Sequence, residues 1–132
     1  MLLILLVLLS HTPIIWLHPP PFWELPAVVT WYDPSLCAYP EGKINCDSDP
    51  THVADGTLIT EDLYGEIAAC DRRLLGRDVT IGNIGTFRCR DTGGMIKPMW
   101  SRYYERWVLY FDIMLHENPY YNYWLFEEWG VR

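Results

Sequence analysis

The segment from Asp78 to Arg90 constrains the fold more than any other part of the chain. It reads as a hairpin of β-patterned residues whose Gly82-Asn83 tip suits a tight turn. A hairpin obliges its neighbours to complete a sheet, and several segments are written for that. Ala27 to Tyr32 (Ala-Val-Val-Thr-Trp-Tyr) is rich in β-branched and aromatic residues and is closed by Asp33-Pro34, so it reads as a first strand followed by a turn. Leu63 to Ala69 reads as a short strand or a turn of helix, and Val108 to Met114 as another strand. Between Met99 and Tyr110, Trp100, Tyr103, Tyr104 and Trp107 recur at spacings of three and four, which predicts one or two amphipathic helical turns leading into that strand. Strand signals outnumber helix signals, and the expected class is mainly β.

At 132 residues and 50% apolar composition the chain has room for one ordinary domain with its own core. Its net charge of -7 repels nucleic acid in bulk, and no zinc finger, basic arm or RNA-binding signature offsets that repulsion. The charge is unevenly placed. Arg72, Arg73, Arg77, Arg88, Arg90, Lys97, Arg102 and Arg106 share a stretch whose acids are Asp78, Asp91 and Glu105. Such a region attracts a carboxylate-bearing ligand or forms a solvated face of interleaved ion pairs.

The apolar run Met1 to Leu9 has the length of a signal-peptide core and falls short of a membrane span, although no Lys or Arg precedes Lys43. Residues 1–17 are therefore expected to be an export signal or an uncleaved N-terminal anchor, which places the protein outside the cytoplasm: extracellular, periplasmic or wall-associated. In an oxidising compartment Cys37, Cys46, Cys70 and Cys89 form two disulfides from three possible connectivities, the preferred one pairing Cys37 with Cys46 and Cys70 with Cys89. A zinc site is disfavoured, because the chain has no C-x2-C pair and no H-x3-H. No cofactor motif is present, and no metal requirement follows. Prolines crowd residues 18–26, which read as an extended spacer. The domain proper is expected over 27–117, followed by an aromatic tail, 118–132, destined for core or edge packing or for a carbohydrate-stacking surface.

Three segments in order resemble the 3D domain, a family named for three aspartates that includes peptidoglycan-active lytic transglycosylases. They are Ala54-Asp55-Gly56-Thr57; Ala69-Cys70-Asp71; and Asp91-Thr92-Gly93-Gly94-Met95-Ile96-Lys97, followed by Phe111-Asp112-Ile113. Asp-Thr-Gly-Gly-x-Ile-Lys is the most specific element, since two successive glycines permit positive φ and let a ligand approach the backbone while the turn fixes the aspartate before them. Val29-Thr30-Trp31-Tyr32 with Ala69-Cys70 is also similar to the barwin, expansin and rare-lipoprotein-A barrels, which bind polysaccharide. The sequence departs from the family in two places. Met99 to Tyr110 stands as an insertion before Asp112, and Arg73-Leu74-Leu75-Gly76 replaces the usual Ile-Pro-Leu-Gly.

The resemblance implies a six-stranded double-psi β-barrel with short helices and an aromatic insertion, acting on peptidoglycan or a related polysaccharide. It makes Asp112 the general acid and then base, and gives Asp91 the task of orienting the sugar or stabilising oxocarbenium charge. Gly93 and Gly94 would admit the saccharide, with Thr92 beside them. Thr30 and Tyr32 match groove-lining positions, and Asp71 matches the family's first aspartate. A strand aspartate flanked by Phe111 and Ile113 suits an acid of raised pKa. The competing function is a wall-binding module without turnover, in which Trp100 and Trp107 of the insertion fill the groove. Asp91 and Asp112 also admit plainer roles, as a turn former and a hydrogen-bonded strand residue.

Overall fold

The computed structural model describes residues 19–35, 51–116 and 124–132. These residues form eight strands: β1 (Ala27–Tyr32), β2 (Ile67–Ala69), β3 (Asp78–Ile81), β4 (Gly85–Asp91), β5 (Pro98–Ser101), β6 (Arg106–Met114), β7 (Trp124–Phe126) and β8 (Trp129–Val131). The protein is mainly β, and among the described residues the helical content is confined to single 3-10 turns such as Phe22–Glu24, Glu61–Leu63 and Arg72–Leu74. The strands make one mixed sheet in the order β7-β1-β6-β2-β4-β3-β8, with β5 on β6. This path is open and does not close into a barrel.

Strand β6 organises the sheet. It runs parallel to β1 from Leu109 to Met114, antiparallel to β5 from Arg106 to Leu109, and antiparallel to β2 at Asp112 and Ile113. One edge of β6 thus belongs to β1, and its other edge is shared by β5 and β2. Its side chains alternate as a pleated strand requires. Leu109, Phe111 and Ile113 enter the main core with Ala27 and Val29 of β1, Ala68 of β2, Val79 and Ile81 of β3, and Phe87 and Cys89 of β4. On the opposite face Met114 joins a smaller cluster with Val53 and Ile67.

The aromatic tail completes the sheet at both edges. β7 pairs antiparallel with β1, and β8 with β3. Trp129 lies edge-on to Phe111 at 5.2 Å, and its indole N–H donates to the Leu25 carbonyl at 2.7 Å. The proline-rich segment ends in the core, where Leu25 is buried and the Pro26 carbonyl accepts from Leu109 N.

Two expectations are corrected. The segment Met99 to Tyr110 is a hairpin, not a helical turn: Trp100 stands opposite Trp107 across β5 and β6, and residues 102–105 make the bend, with Glu105 at φ 52°. An aromatic spacing of three and four is helical only if the chain does not reverse, and here the reversal brings the same residues together across strands. Gly93 and Gly94 do not adopt positive φ. Gly93 is instead required by space, because a Cβ there would sit 2.9 Å from Ile96 Cγ1. The expectations for residues 1–17 and for a Cys37–Cys46 bridge lie outside the described residues.

Cys70 and Cys89 are bonded, as the preferred pairing expects, with Cα atoms 5.6 Å apart and both side chains fully buried. The bridge joins the end of β2 to β4 over 19 residues of sequence, and closing a loop of that size restricts the unfolded chain by about 3 kcal/mol. The double variant Cys70→Ala/Cys89→Ala is expected to lose about that much unfolding free energy in urea denaturation followed by circular dichroism.

Candidate functional site

Four strands place a single row of residues across one face. In register, Thr30 of β1 is beside Asp112 of β6, Asp112 is opposite Ala69 of β2, and Ala69 is beside Asp91 of β4. Asp91 and Asp112 therefore stand two strand spacings apart, roughly 9.5 Å between Cα atoms. Only the methyl of Ala69 rises between them in that row.

Asp91 reaches this face because of a bulge. Ile67 and Ala68 pair with Arg88 and Cys89, but Ala69 pairs with Asp91, so Arg90 is the extra residue. Regular alternation would send Asp91 to the same side as the core cysteine Cys89. The skipped residue sends it to the other side. The Arg90 side chain then holds the turn expected at Ala54-Asp55-Gly56-Thr57. Its guanidinium contacts Asp55 Oδ2 at 3.3 Å and Thr57 Oγ1 at 3.2 Å, while its carbonyl accepts from Asp55 N. Hydrogen bonds from Thr57 and Arg90 outweigh the burial of Asp55 and hold its carboxyl below the usual range.

That turn fixes Asp91 in return. Oδ1 of Asp91 accepts from Ala54 N at 3.0 Å and Thr92 N at 2.9 Å, and Oδ2 accepts from the Tyr32 hydroxyl at 2.8 Å. Burial above all, and then the Asp91 charge, raise Tyr32 far beyond its ordinary range, so the phenol remains a neutral donor. Asp112 is held differently. Its Oδ1 accepts from the Thr30 hydroxyl at 2.8 Å, and burial between β1 and β2 pushes its pKa to about 6. The Thr30 hydrogen bond opposes that rise and the Asp91 charge adds to it. The row thus holds one carboxylate gripped by three donors and one carboxyl poised near neutrality.

The remaining sequence candidates divide. Thr30, Tyr32, Asp91 and Thr92 assemble around Asp112, and Gly93 and Gly94 follow in the turn, where Ile96 N bonds to the Gly93 carbonyl. Asp71 does not join them. It is 6% exposed, and both its oxygens are taken by Arg73, at 2.8 Å to Nε and 2.9 Å to Nη2, while Oδ1 also accepts from Arg73 N and so caps the turn. Trp100 and Trp107 do not fill the face of Asp112. They pack edge to face with each other at 6.2 Å, and Trp107 lies against the main core, on the side of Leu109 and Phe111. Cys70 and Cys89 lie behind the row, in the core. Much of the basic stretch is paired: Arg73 with Asp71, Arg88 with Asp78, and Arg106 with Glu127.

Sequence reasoning missed two features. Ala69 was part of a motif, but nothing marked it as the spacer between the carboxyls. His116, which no sequence motif marks, is stacked on Tyr64 at 3.6 Å and bonded to Glu61 at 2.6 Å, while Tyr64 donates to the buried carboxylate of Asp33 at 3.1 Å. Tyr64 of this cluster packs with Tyr32 against Val53, Ile67 and Met114. Hydrogen bonding to Glu61 raises the His116 pKa. Among the described residues no group of three or more His, Cys, Asp or Glu side chains is placed to hold a metal ion.

The raised pKa of Asp112 has a signed consequence for stability. Between the ordinary aspartate value and about pH 6 the folded chain keeps a proton that the unfolded chain releases, so stability falls as pH rises through that window. At about 1.4 kcal/mol per unit, the penalty above pH 7 approaches 3 kcal/mol. Asp112→Asn keeps an acceptor for Thr30 and is expected to remove that slope. Urea denaturation at pH 4 and pH 7.5 checks this: the variant should gain on wild type only at the higher pH.

The chain matches no protein-family model, no curated protein and no solved structure.

Proposed function

We propose that this chain is a wall-directed glycan-cleaving protein of the lytic transglycosylase type, acting on the bond between N-acetylmuramic acid and N-acetylglucosamine in peptidoglycan. The observation that carries the reading is the pair formed by Asp112 and Asp91. A half-buried carboxyl with a pKa of about 6 shares a face with a carboxylate immobilised by Tyr32 and two backbone amides. Such a pair divides its labour by environment, the desolvated member keeping its proton up to about pH 6 while the other accepts from three fixed donors.

In this reading Asp112 donates its proton to the glycosidic oxygen as the bond to the muramyl anomeric carbon breaks. The positive charge that develops on the sugar faces Asp91. The muramyl 6-hydroxyl then attacks that carbon, and its proton returns to the Asp112 carboxylate. The products are an anhydro-muramyl end and a free hydroxyl on the leaving sugar. Proton count is conserved, and one residue serves both steps. Thr30 orients the acid, and Tyr32 sets the position of Asp91.

The finer fold belongs to the same reading. The parallel pairs β1/β6 and β2/β4, inserted among antiparallel neighbours, support a double-psi arrangement related to the 3D domain. The buried Cys70–Cys89 bridge supports an exported, extracytoplasmic location. A wall-binding module without turnover is the second reading, favoured by the exposed tyrosine of the β5–β6 bend, and a phage-encoded source fits either.

Digestion of purified peptidoglycan, with muropeptides resolved by mass, decides between them. Wild type is expected to release anhydro-muramyl products, and Asp112→Asn to lose about 10²-fold or more in rate, the usual contribution of a general acid. Because the free enzyme must carry the Asp112 proton, kcat/KM should fall as pH rises through about 6. Sedimentation with the wall without product release would sink the cleavage reading and leave the binding module.

A further inference from the structure

The β5–β6 hairpin carries tyrosines that the cleavage chemistry does not use. Tyr110 follows the alternation of β6 and lies on the face of Asp112, beside Val28 of β1 in register and partly exposed. Two residues along a strand separate it from Asp112 by about 6.7 Å, of the order of one sugar ring along a glycan. At the bend, Tyr103 is 85% exposed and lies edge-on to Tyr104 at 4.8 Å and 90°. Ser101 Oγ accepts from Tyr104 N at 3.1 Å and pins the bend. Burial above all, and then the nearby Tyr103 and Tyr110, raise the Tyr104 pKa. Tyr103 and Tyr104 thus meet at the bend, and Tyr110 stands on β6 between the bend and Asp112.

We infer that Tyr103, Tyr104 and Tyr110 form a sugar-stacking platform that extends the Asp112 face, gripping the glycan strand of peptidoglycan one or more residues from the bond under attack. The proposal rests on the cleavage reading for its choice of ligand. Three features select a glycan over an apolar partner. Each ring offers a flat face and a polar tip, matching the apolar faces and hydroxyl rim of a pyranose. The bend also exposes Arg102 beside Tyr103, a cation suited to the carboxylates of the wall's peptide stems. Finally, Tyr110 shares the face of the row that holds Asp91 and Asp112. The tryptophans of the same hairpin face the core side and are spent on packing.

The test is co-sedimentation with purified peptidoglycan sacculi, run beside the cleavage assay on the same preparations. Tyr103→Ala is chosen because so exposed a ring contributes little to folding, with Tyr103→Phe as the variant that keeps the ring. Tyr103→Ala is expected to raise the dissociation constant and the KM for sacculi about tenfold, the scale of one lost stacking contact, and Tyr103→Phe to restore both. Equal binding and KM for Tyr103→Ala and wild type would overturn the platform while leaving cleavage intact. Binding that depends on Tyr103 without product release would uphold the platform and overturn the cleavage reading. If wild type neither binds nor cleaves sacculi, both fall.

Discussion

A strand hydrogen-bonded along both edges cannot move its side chains independently of its neighbours, and β6 is such a strand. β1 occupies one edge while β5 and β2 divide the other. Its inward residues Leu109, Phe111 and Ile113 are fully buried, each contributing roughly 1.5–3 kcal/mol of apolar burial. The position of Asp112 is therefore set by the core on the opposite face. To shift the carboxyl by one residue would turn Phe111 out of the core, because the side-chain period of a strand is two. The Thr30 hydroxyl, one strand away in register, adds orientation to a location already fixed by packing.

Asp91 is placed by the opposite device, a break in regularity. The bulge at Arg90 releases β4 from strict alternation while Cys89, one residue before it, is tied through its disulfide to Cys70. The backbone around the bulge remains satisfied: Cys70 N bonds to the Asp91 carbonyl, and Asp55 N to the Arg90 carbonyl. The strand is thus cross-linked on its core side immediately before it is bent on its outer side. A carboxylate held by two amides and a phenol needs such a rigid frame, since all three donors come from different segments of the chain.

Local patterns with short reach were legible in the sequence. Ala27 to Tyr32 is a strand because its β-branched and aromatic residues end at Asp33-Pro34, and the Asp78 to Arg90 segment is a hairpin because its glycines suit the turn. The Cys70–Cys89 pairing was legible as well, and so was the mainly β class. What escaped depends on contacts across strands. The bulge at Arg90 leaves no signal in composition, and the pairing of Trp100 with Trp107 looks helical until the bend is known. The tail's two edge strands are three residues each, too short for alternation to declare itself. The partners of His116 leave no local signal, because Glu61 and Tyr64, which meet it, lie more than fifty residues earlier.

The same hairpin resolves a difficulty that sequence spacing creates. Asp91 and Asp112 are far apart along the chain for partners in one site, with β5, a bend and half of β6 between them. A helical insertion would displace whatever follows it. A hairpin does not, because its two arms pair with each other and return the chain close to where it left. Pro98 stands opposite Leu109, so the residues from 99 to 108 form an excursion, and β6 re-enters the sheet beside β1 and β2 at the register that sets Asp112 against Ala69. The excursion also explains why its two kinds of aromatic residue have different environments. Trp107 continues the core side of β6, whereas Tyr110 continues the side of Asp112. A hairpin of this geometry can lengthen the face beyond the aspartate row without altering the distance across it.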